Sequence, residues 1–503
     1  MRSFAILALA ALVLTGAARL RGAEYDEGYS LFVTAGIARP DWPRGVFAAR
    51  AARTLAAGHA GPARIAAELR ATDVHPPLYF WALGAWRAAF GPGLFAARLL
   101  AVLCALAALA LTGAIAAEAG VPAPAAMAFT LGCYGFAYTG AIARDFALAE
   151  ALALAGIWAA LRGGRRAVPA GLLLGAACFA NYLACFVGAG VVVVLALSAP
   201  RRAWRIGAGM AAWLPPGAWF FLAQRNSRSG QFPPFRLLPD LVRLARDGAG
   251  AVFGGLPLYL PPAGAVVLGA ALGLVLAGLA VLIAVRFRRI GRAEARAVLA
   301  AGALAPPLGL LVLGVAFDTT PIEIRYLAFA TPFLGLLLSG ALATLPRPPA
   351  RAIGAAVLGV QALALAGLML RPETMQPGRR AAREAARLAG RAGVVLLPRG
   401  NDGVGVVAPF LLEAPAWLRV RLVSPASDPA ALRASVAGAP RVVLALVGVD
   451  GASRASLVPM RTAFAEWRVV GRGFDALALA PPTAPPPAAP AIRSRRGTSP
   501  PAR

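Results

Sequence analysis

The stretch AGAVVLGAALGLVLAGLAVLIAV, residues 263–285, holds no charged and no polar side chain. A helix needs about 20 such residues to cross the hydrocarbon core of a bilayer. Similar apolar segments stand at 3–20, 96–116, 122–142, 144–161, 168–182, 183–199, 206–222, 297–316, 324–345 and 353–370. The 503-residue chain is 59% hydrophobic and 14% charged, where soluble domains are about 45–50% apolar and about 25% charged. Mean hydropathy is +0.69. The reading is an all-α polytopic membrane protein with roughly 11 to 13 transmembrane helices.

The net charge of +28 does not point to nucleic acid. No lysine is present, so all 50 basic residues are arginine. Many lie in short loops between apolar runs, where basic residues hold loops on the cytoplasmic side. The aromatic-basic platform that single-stranded nucleic acid requires is missing. Cys104, Cys133, Cys178 and Cys185 all fall inside apolar segments and read as small hydrophobes. The only histidines, His59 and His75, cannot make a zinc site unaided. Glu68 or Asp73 would have to complete one, and a metal is not expected there.

The arginines orient the chain. Arg162 to Arg166, Arg201 to Arg205 and Arg286 to Arg296 read as cytoplasmic. Residues 168–199 then form a hairpin of two short helices with Asn181 and Tyr182 at its outer tip. The loops 21–75, 223–262 and 317–323, and everything after 371, fall outside. The first segment ends in Gly16-Ala17-Ala18, which suits a signal-peptidase site, but an uncleaved first helix is the reading that fits a polytopic chain. Segment 76–90 breaks the parity of this scheme. Either it enters as a half-helix behind Pro76 and Pro77, or a neighbouring boundary is split wrongly; non-spanning backbone is tolerated where it lines a protein cavity.

The first outer loop, 21–75, is long for a connector, and long loops in compact proteins are often functional. It opens with AEYDEGYSLF (23–32), and short helices are expected at 28–38 and 60–71. After 378 the pattern changes to VVLLP (394–398), RVRLV (419–423) and RVVLALV (441–447), alternating with Ala/Arg-rich stretches. Short strands alternating with helices predict a small α/β soluble domain. Residues 1–370 thus read as the membrane domain, 371–480 as the α/β domain, and 481–503 as a Pro- and Arg-rich disordered tail.

Charged residues gather on the outer face: Asp26, Glu27, His75, Arg144 with Asp145, Asp318, Glu323 and Arg325. Glu150 lies about 9 Å deeper in the helix that follows Arg144. A charge at helix centre costs about 2.5–3.5 kcal/mol on insertion scales, so such residues invite a functional reading. Arginine's planar fork suits a lipid phosphate at a helix end. A carboxylate can serve as general base toward an acceptor hydroxyl. One base and a phosphate clamp suit a single displacement at an anomeric carbon, with inversion.

Structural readings stand beside these. Asp26 and Glu27 can cap the helix expected near Gly28. Arg144 can pair with Asp145 or Glu150 and snorkel, and Arg325 can anchor an interface beside Tyr326. His75-Pro76-Pro77 can simply start a helix, and Glu150 fits a buried pair. Arg225, Arg228, Arg236, Arg243 and Arg246 can attract an anionic acceptor or sit among lipid head groups.

Taken in order, AEYDEGYS, HPPLYFWALGAWRAAFG (75–91), ARDFALAEALAL (143–154) and EIRYLAFATPF (323–333) resemble the GT-C glycosyltransferases. The nearest branch is the one that holds the aminoarabinose transferases and protein O-mannosyltransferases, family 39-like. The resemblance implies a GT-C membrane enzyme that uses a polyprenyl-phosphate sugar at the outer face of a bacterial inner membrane. It places the acidic motif on Asp26 and Glu27, with Asp26 the base. It places donor-phosphate contacts on Arg144, Arg325 and Tyr326. His75, Pro76, Pro77, Tyr79 and Glu150 are then expected around the substrate cavity. The acceptor is expected to be a cell-envelope lipid, glycan or protein, and no cofactor is firmly implied. A divalent metal at Asp26 and Glu27 stays open. The family's mid-chain His-Tyr pair is Asn181-Tyr182 here. A transporter or flippase for a lipid-linked or anionic substrate is the alternative, although it has no need of a carboxylate pair in a long outer loop.

Overall fold

The computed structural model describes residues 1–224, 232–371, 373 and 376–482. Arg225, Arg228 and the tail from 483 onward lie outside the described residues. Six of the described helices are long and apolar enough to cross a membrane: Arg2–Leu20, Leu94–Ala119, Pro262–Arg289, Ala293–Phe317, Ile324–Ala343 and Arg347–Leu370. The chain is a multi-pass membrane protein with a small sheet added. Ile324–Ala343 is the central helix, with 89% of its apolar window buried by protein. The segment 263–285 falls in Pro262–Arg286, whose window is only 17% buried, as a lipid-facing helix requires.

Several expected spans are shorter or broken. Segment 206–222 divides into Pro200–Ala211 and Leu214–Leu222. Pro215 and Pro216 lack an N–H to continue the first helix, yet suit the first turn of the second. Segment 122–142 breaks into Ala123–Leu131, Tyr134–Ala137 and a 3-10 turn at Thr139–Ala141. The hairpin expected at 168–199 is formed by Ala167–Ala180 and Cys185–Ser198, with Asn181 and Tyr182 at the turn.

The elements near the N-terminus are α1 (Arg2–Leu20), α2 (Tyr25–Thr34), α3 (Arg50–Ala56), α4 (Pro62–Thr72), α5 (Leu78–Phe90) and α6 (Leu94–Ala119). At 13 residues α5 is about 20 Å long, short of a full crossing. It packs on α2, α4 and α6. Arg87 of α5 is buried, donating to the carbonyls of Leu31 (3.0 Å) and Pro92 (3.1 Å) and to Thr34 Oγ1. This ties α2 to α5.

The sheet has six strands: β1 (Phe47–Ala48), β2 (Val394–Pro398), β3 (Arg419–Val423), β4 (Val442–Ala445), β5 (Arg468–Arg472) and β6 (Ala476–Ala480). Their order is β1-β3-β2-β4-β6-β5. The central strands β3, β2 and β4 are parallel and joined by helices, and the outer pairings are antiparallel. β2 and β4 are buried along their whole length, which explains their unbroken Val/Leu pattern. β1 comes from the first loop and pairs with β3 through Phe47–Val420 and Ala48–Arg419. One hydrophobic cluster runs from Leu31, Phe32 and Trp42 through Ala49 and Ala52 to Val407, Phe410 and Val420. The first loop and the α/β sheet therefore share a core.

Candidate active site

Helix α2 carries the acidic pair, and about 100° per residue sends its side chains to three different partners. Glu27 turns inward. Its oxygens accept from Arg98 Nε at 2.7 Å and Arg98 Nη2 at 2.5 Å. They also accept the Ala143 N–H at 2.8 Å and the Glu24 N–H at 2.8 Å. The last bond caps the helix from its third position. Arg98 of α6 further donates to the carbonyls of Ala18, Arg21 and Gly22, so its fork is saturated. Both side chains are closed to solvent. Glu27 is thus a brace joining α1, α2, α6 and the turn that bears Arg144.

Asp26 points the other way, into a polar cavity of about 620 Å³. Its carboxylate accepts from Arg325 Nη1. Arg325 Nε lies 2.7 Å from Glu323 Oε2, so one guanidinium sits between two carboxylates. Arg325 stands in the 3-10 turn Ile324–Ala330 that opens the central helix. Its guanidinium also lies 5.4 Å from the ring centre of Tyr326, and that ring stacks on Phe146.

Arg144 closes the same wall, 3% exposed. Its Nη2 donates to His75 Nε2 at 2.9 Å, and its Nη1 lies 3.4 Å from both the Asp26 carbonyl and Ser30 Oγ. A guanidinium only donates. His75 Nε2 therefore accepts, and Nδ1 carries the hydrogen that goes to Asp73 Oδ1 at 2.8 Å. The chain Asp73–His75–Arg144 thus holds the arginine against the Asp26 turn of α2. The Arg144 Nε has no hydrogen-bond partner among the described residues.

The third face of α2 meets the α/β domain. Tyr29 Oη donates to Asp402 Oδ2. Burial, and next the Asp402 carboxylate, push the Tyr29 phenol far above its ordinary pKa. Burial pushes Tyr25 up to about 12. Both phenols stay protonated. The cavity is completed from this side by Asn401, Asp402, Val449, Asp450, Gly451 and Arg454. Asp450 caps the helix Gly451–Ala463 through the Ser453 N–H at 2.6 Å and accepts the Asn401 N–H at 3.1 Å.

No protein-family model matches the sequence, and no curated protein matches it. Among solved structures, the chain is similar to ArnT from Cupriavidus metallidurans bound to undecaprenyl phosphate and to the same protein in the apo state. Each superposes with a TM-score of 0.52 at 15% identity, covering 95% of this chain and 97% of ArnT. The chain has the ArnT fold. At that identity the likeness is one of architecture, and it bears out the GT-C resemblance carried by the four motifs.

Within this ArnT-like frame, the cavity unites Asp26, Arg144, Arg325 and Tyr326. Glu27, His75, Pro76, Pro77, Tyr79 and Glu150 stand outside its lining. His75 touches the site through Arg144. Pro76 and Pro77 are buried and lead into α5. Tyr79 is fully buried, and its hydroxyl makes no hydrogen bond among the described residues. Glu150 is buried with no partner for Oε1, so the paired state expected for it is not formed there. Arg144 is buried under hydrogen bonds and does not snorkel. Arg236, Arg243 and Arg246 belong to Leu237–Val252 and its N-cap, and Arg246 pairs with Asp247 at 2.9 Å.

Glu27 has both oxygens engaged, so it and Asp26 offer no shared ligand set for a divalent cation. Among the described residues no group of three or more His, Cys, Asp or Glu could hold a metal ion. Sequence reading did not find Tyr29, Arg39, Arg98, Asp402, Asp450 or Arg454. Arg98 sits in an apolar run, where an unexplained charge is itself a signal. Tyr29 lies on α2 beside the acidic pair, but its partner Asp402 is remote in the chain, and Arg39, Asp450 and Arg454 likewise carry no local signal.

Proposed function

We propose that the chain is an inverting membrane glycosyltransferase. It moves a sugar from a polyprenyl-phosphate donor to a hydroxyl of a cell-envelope lipid, glycan or protein, at the periplasmic face of a bacterial inner membrane. The observation that carries this reading is Asp26 beside Arg325 in a polar cavity of a membrane fold, with the unsatisfied Arg144 Nε in the same wall. The undecaprenyl phosphate bound to the ArnT structure supports the class of donor.

Asp26 takes the proton of the acceptor hydroxyl as its oxygen attacks the anomeric carbon. The bond from that carbon to the phosphate oxygen breaks on the opposite face. The electron pair leaves with the lipid phosphate, whose added charge falls on Arg325 and Arg144. No acid is required for so stable a leaving group. In the free protein Arg325 pairs with Asp26 and so holds that carboxylate engaged. A donor phosphate would compete for the same fork and release Asp26 as the donor arrives.

The test is a donor panel. Radiolabelled polyprenyl-phosphate sugars are incubated with detergent-purified protein and an envelope extract as acceptor. Consumption of one donor with label transferred to the extract is expected. A folded protein that consumes none overturns the proposal.

A further inference from the structure

We propose that Asp402 is a positioning residue that aims the Asp26 carboxylate from the α/β domain, acting through Tyr29. The inference rests on the reading of Asp26 as base and extends it to a residue some 376 positions away in the chain (402 less 26).

Tyr29 stands three residues after Asp26 on α2, about one turn along. Its hydroxyl donates to Asp402 Oδ2, while Asp402 Oδ1 accepts the Val404 N–H at 2.9 Å and the Gly405 N–H at 3.4 Å. The acceptor is therefore fixed by loop backbone and not by a free rotamer. Arg39 Nη2 lies 3.4 Å from the same Oδ2, and its guanidinium covers the Tyr29 ring at 4.9 Å. The helix itself rests on this loop. A Cβ at Gly405 would meet the Tyr25 ring at 2.0 Å, and one at Gly28 would meet Ala408 at 2.6 Å. Tyr25, Gly28 and Tyr29 share the face that touches the loop, and Asp26 is turned about 100° from Tyr25.

Rotation of α2 about its axis is thus set from the α/β domain, and that rotation decides where Asp26 points. A misplacement of about 1 Å at a reacting group can cost on the order of 10²-fold in rate. Asp402 also lines the cavity, so the test must separate positioning from ligand contact.

The experiment compares full-length wild type, Tyr29→Phe, Asp402→Ala and the double variant, using the donor that the wild type consumes. Tyr29→Phe keeps the ring and removes the hydroxyl's hydrogen bonds to Asp402 and Tyr25, so it preserves the fold, which thermal unfolding in detergent checks. The expected result is a kcat about 10- to 10²-fold lower in each single variant. Donor KM should stay unchanged, and the double variant should be no slower than Asp402→Ala. Wild-type kcat for Tyr29→Phe overturns the inference. So do effects that multiply in the double variant, or a donor KM raised by Asp402→Ala alone. If the wild type consumes no donor, the functional reading itself fails. If the wild type is active, Asp26→Asn is dead and Tyr29→Phe is unimpaired, positioning alone fails.

Discussion

Glu27 accepts two hydrogen bonds from Arg98 and two from backbone N–H groups, and no solvent reaches it. Removing one member of such a buried pair strands the other charge and costs about 3–5 kcal/mol. Arg98→Ala is therefore expected to lower the thermal midpoint in detergent sharply. Asp26, partly exposed in the cavity, should tolerate Asn with its midpoint nearly unchanged. Equal midpoints for the Arg98→Ala and Asp26→Asn proteins would contradict this division of labour. Arg325 bonds to Asp26 and lies against Glu323, and its role as clamp makes a separate prediction. Hydrogen bonds to charged groups are worth about 1.5–3 kcal/mol, so Arg325→Ala should raise donor KM by about 10- to 10²-fold. Steady-state kinetics with unchanged donor KM and kcat would remove the clamp.

At the scale of elements, α2 is where sequence and structure can be compared most closely. The helix expected at 28–38 begins three residues earlier, at Tyr25–Thr34, with Glu24 and not Asp26 at its N-cap. The acidic pair and the helix at 60–71 were legible, because capping chemistry and amphipathic spacing are local. The division between Asp26 and Glu27 was not, because it depends on Arg98, 71 residues away in an apolar segment. Strands β2, β3 and β4 were legible as Val/Leu bursts. β1 was not, since two residues cannot display a period. What holds β1 in place is equally non-local. Trp42 stacks on Phe47 with ring centres 5.8 Å apart, meets Phe32 edge-on, and donates from Nε1 to the Gly403 carbonyl at 2.7 Å. Truncating a buried Trp costs about 3–5 kcal/mol. Trp42→Ala should lower the thermal midpoint and raise protease cleavage within 40–60. A cleavage pattern like that of the wild type would show that β1 is held by other contacts.

For the whole molecule, the cavity lies where separated parts of the chain meet: the first loop, Phe232, the turns before the helices Phe146–Arg162 and Thr331–Ala343, and two loops of the α/β sheet. Sequence pattern leads one to expect each of these parts on the outer face, but their convergence is a property of the fold. The α/β domain also shares its apolar core with the first loop. Residues 376–482 produced alone would expose Val407, Phe410 and Leu411 to water, and a patch of that kind drives association. Size-exclusion chromatography is expected to show aggregated or oligomeric material. A monodisperse, folded monomer would mean that the two parts are independent.

If Asp26 is the base of a glycosyl transfer, turnover must fall when it is replaced by Asn. General-base contributions run to about 10²–10⁴-fold. With the donor identified from the panel, Asp26→Asn should retain its thermal midpoint and lose about that much in kcat. Turnover close to that of the wild type would mean that Asp26 is not the base.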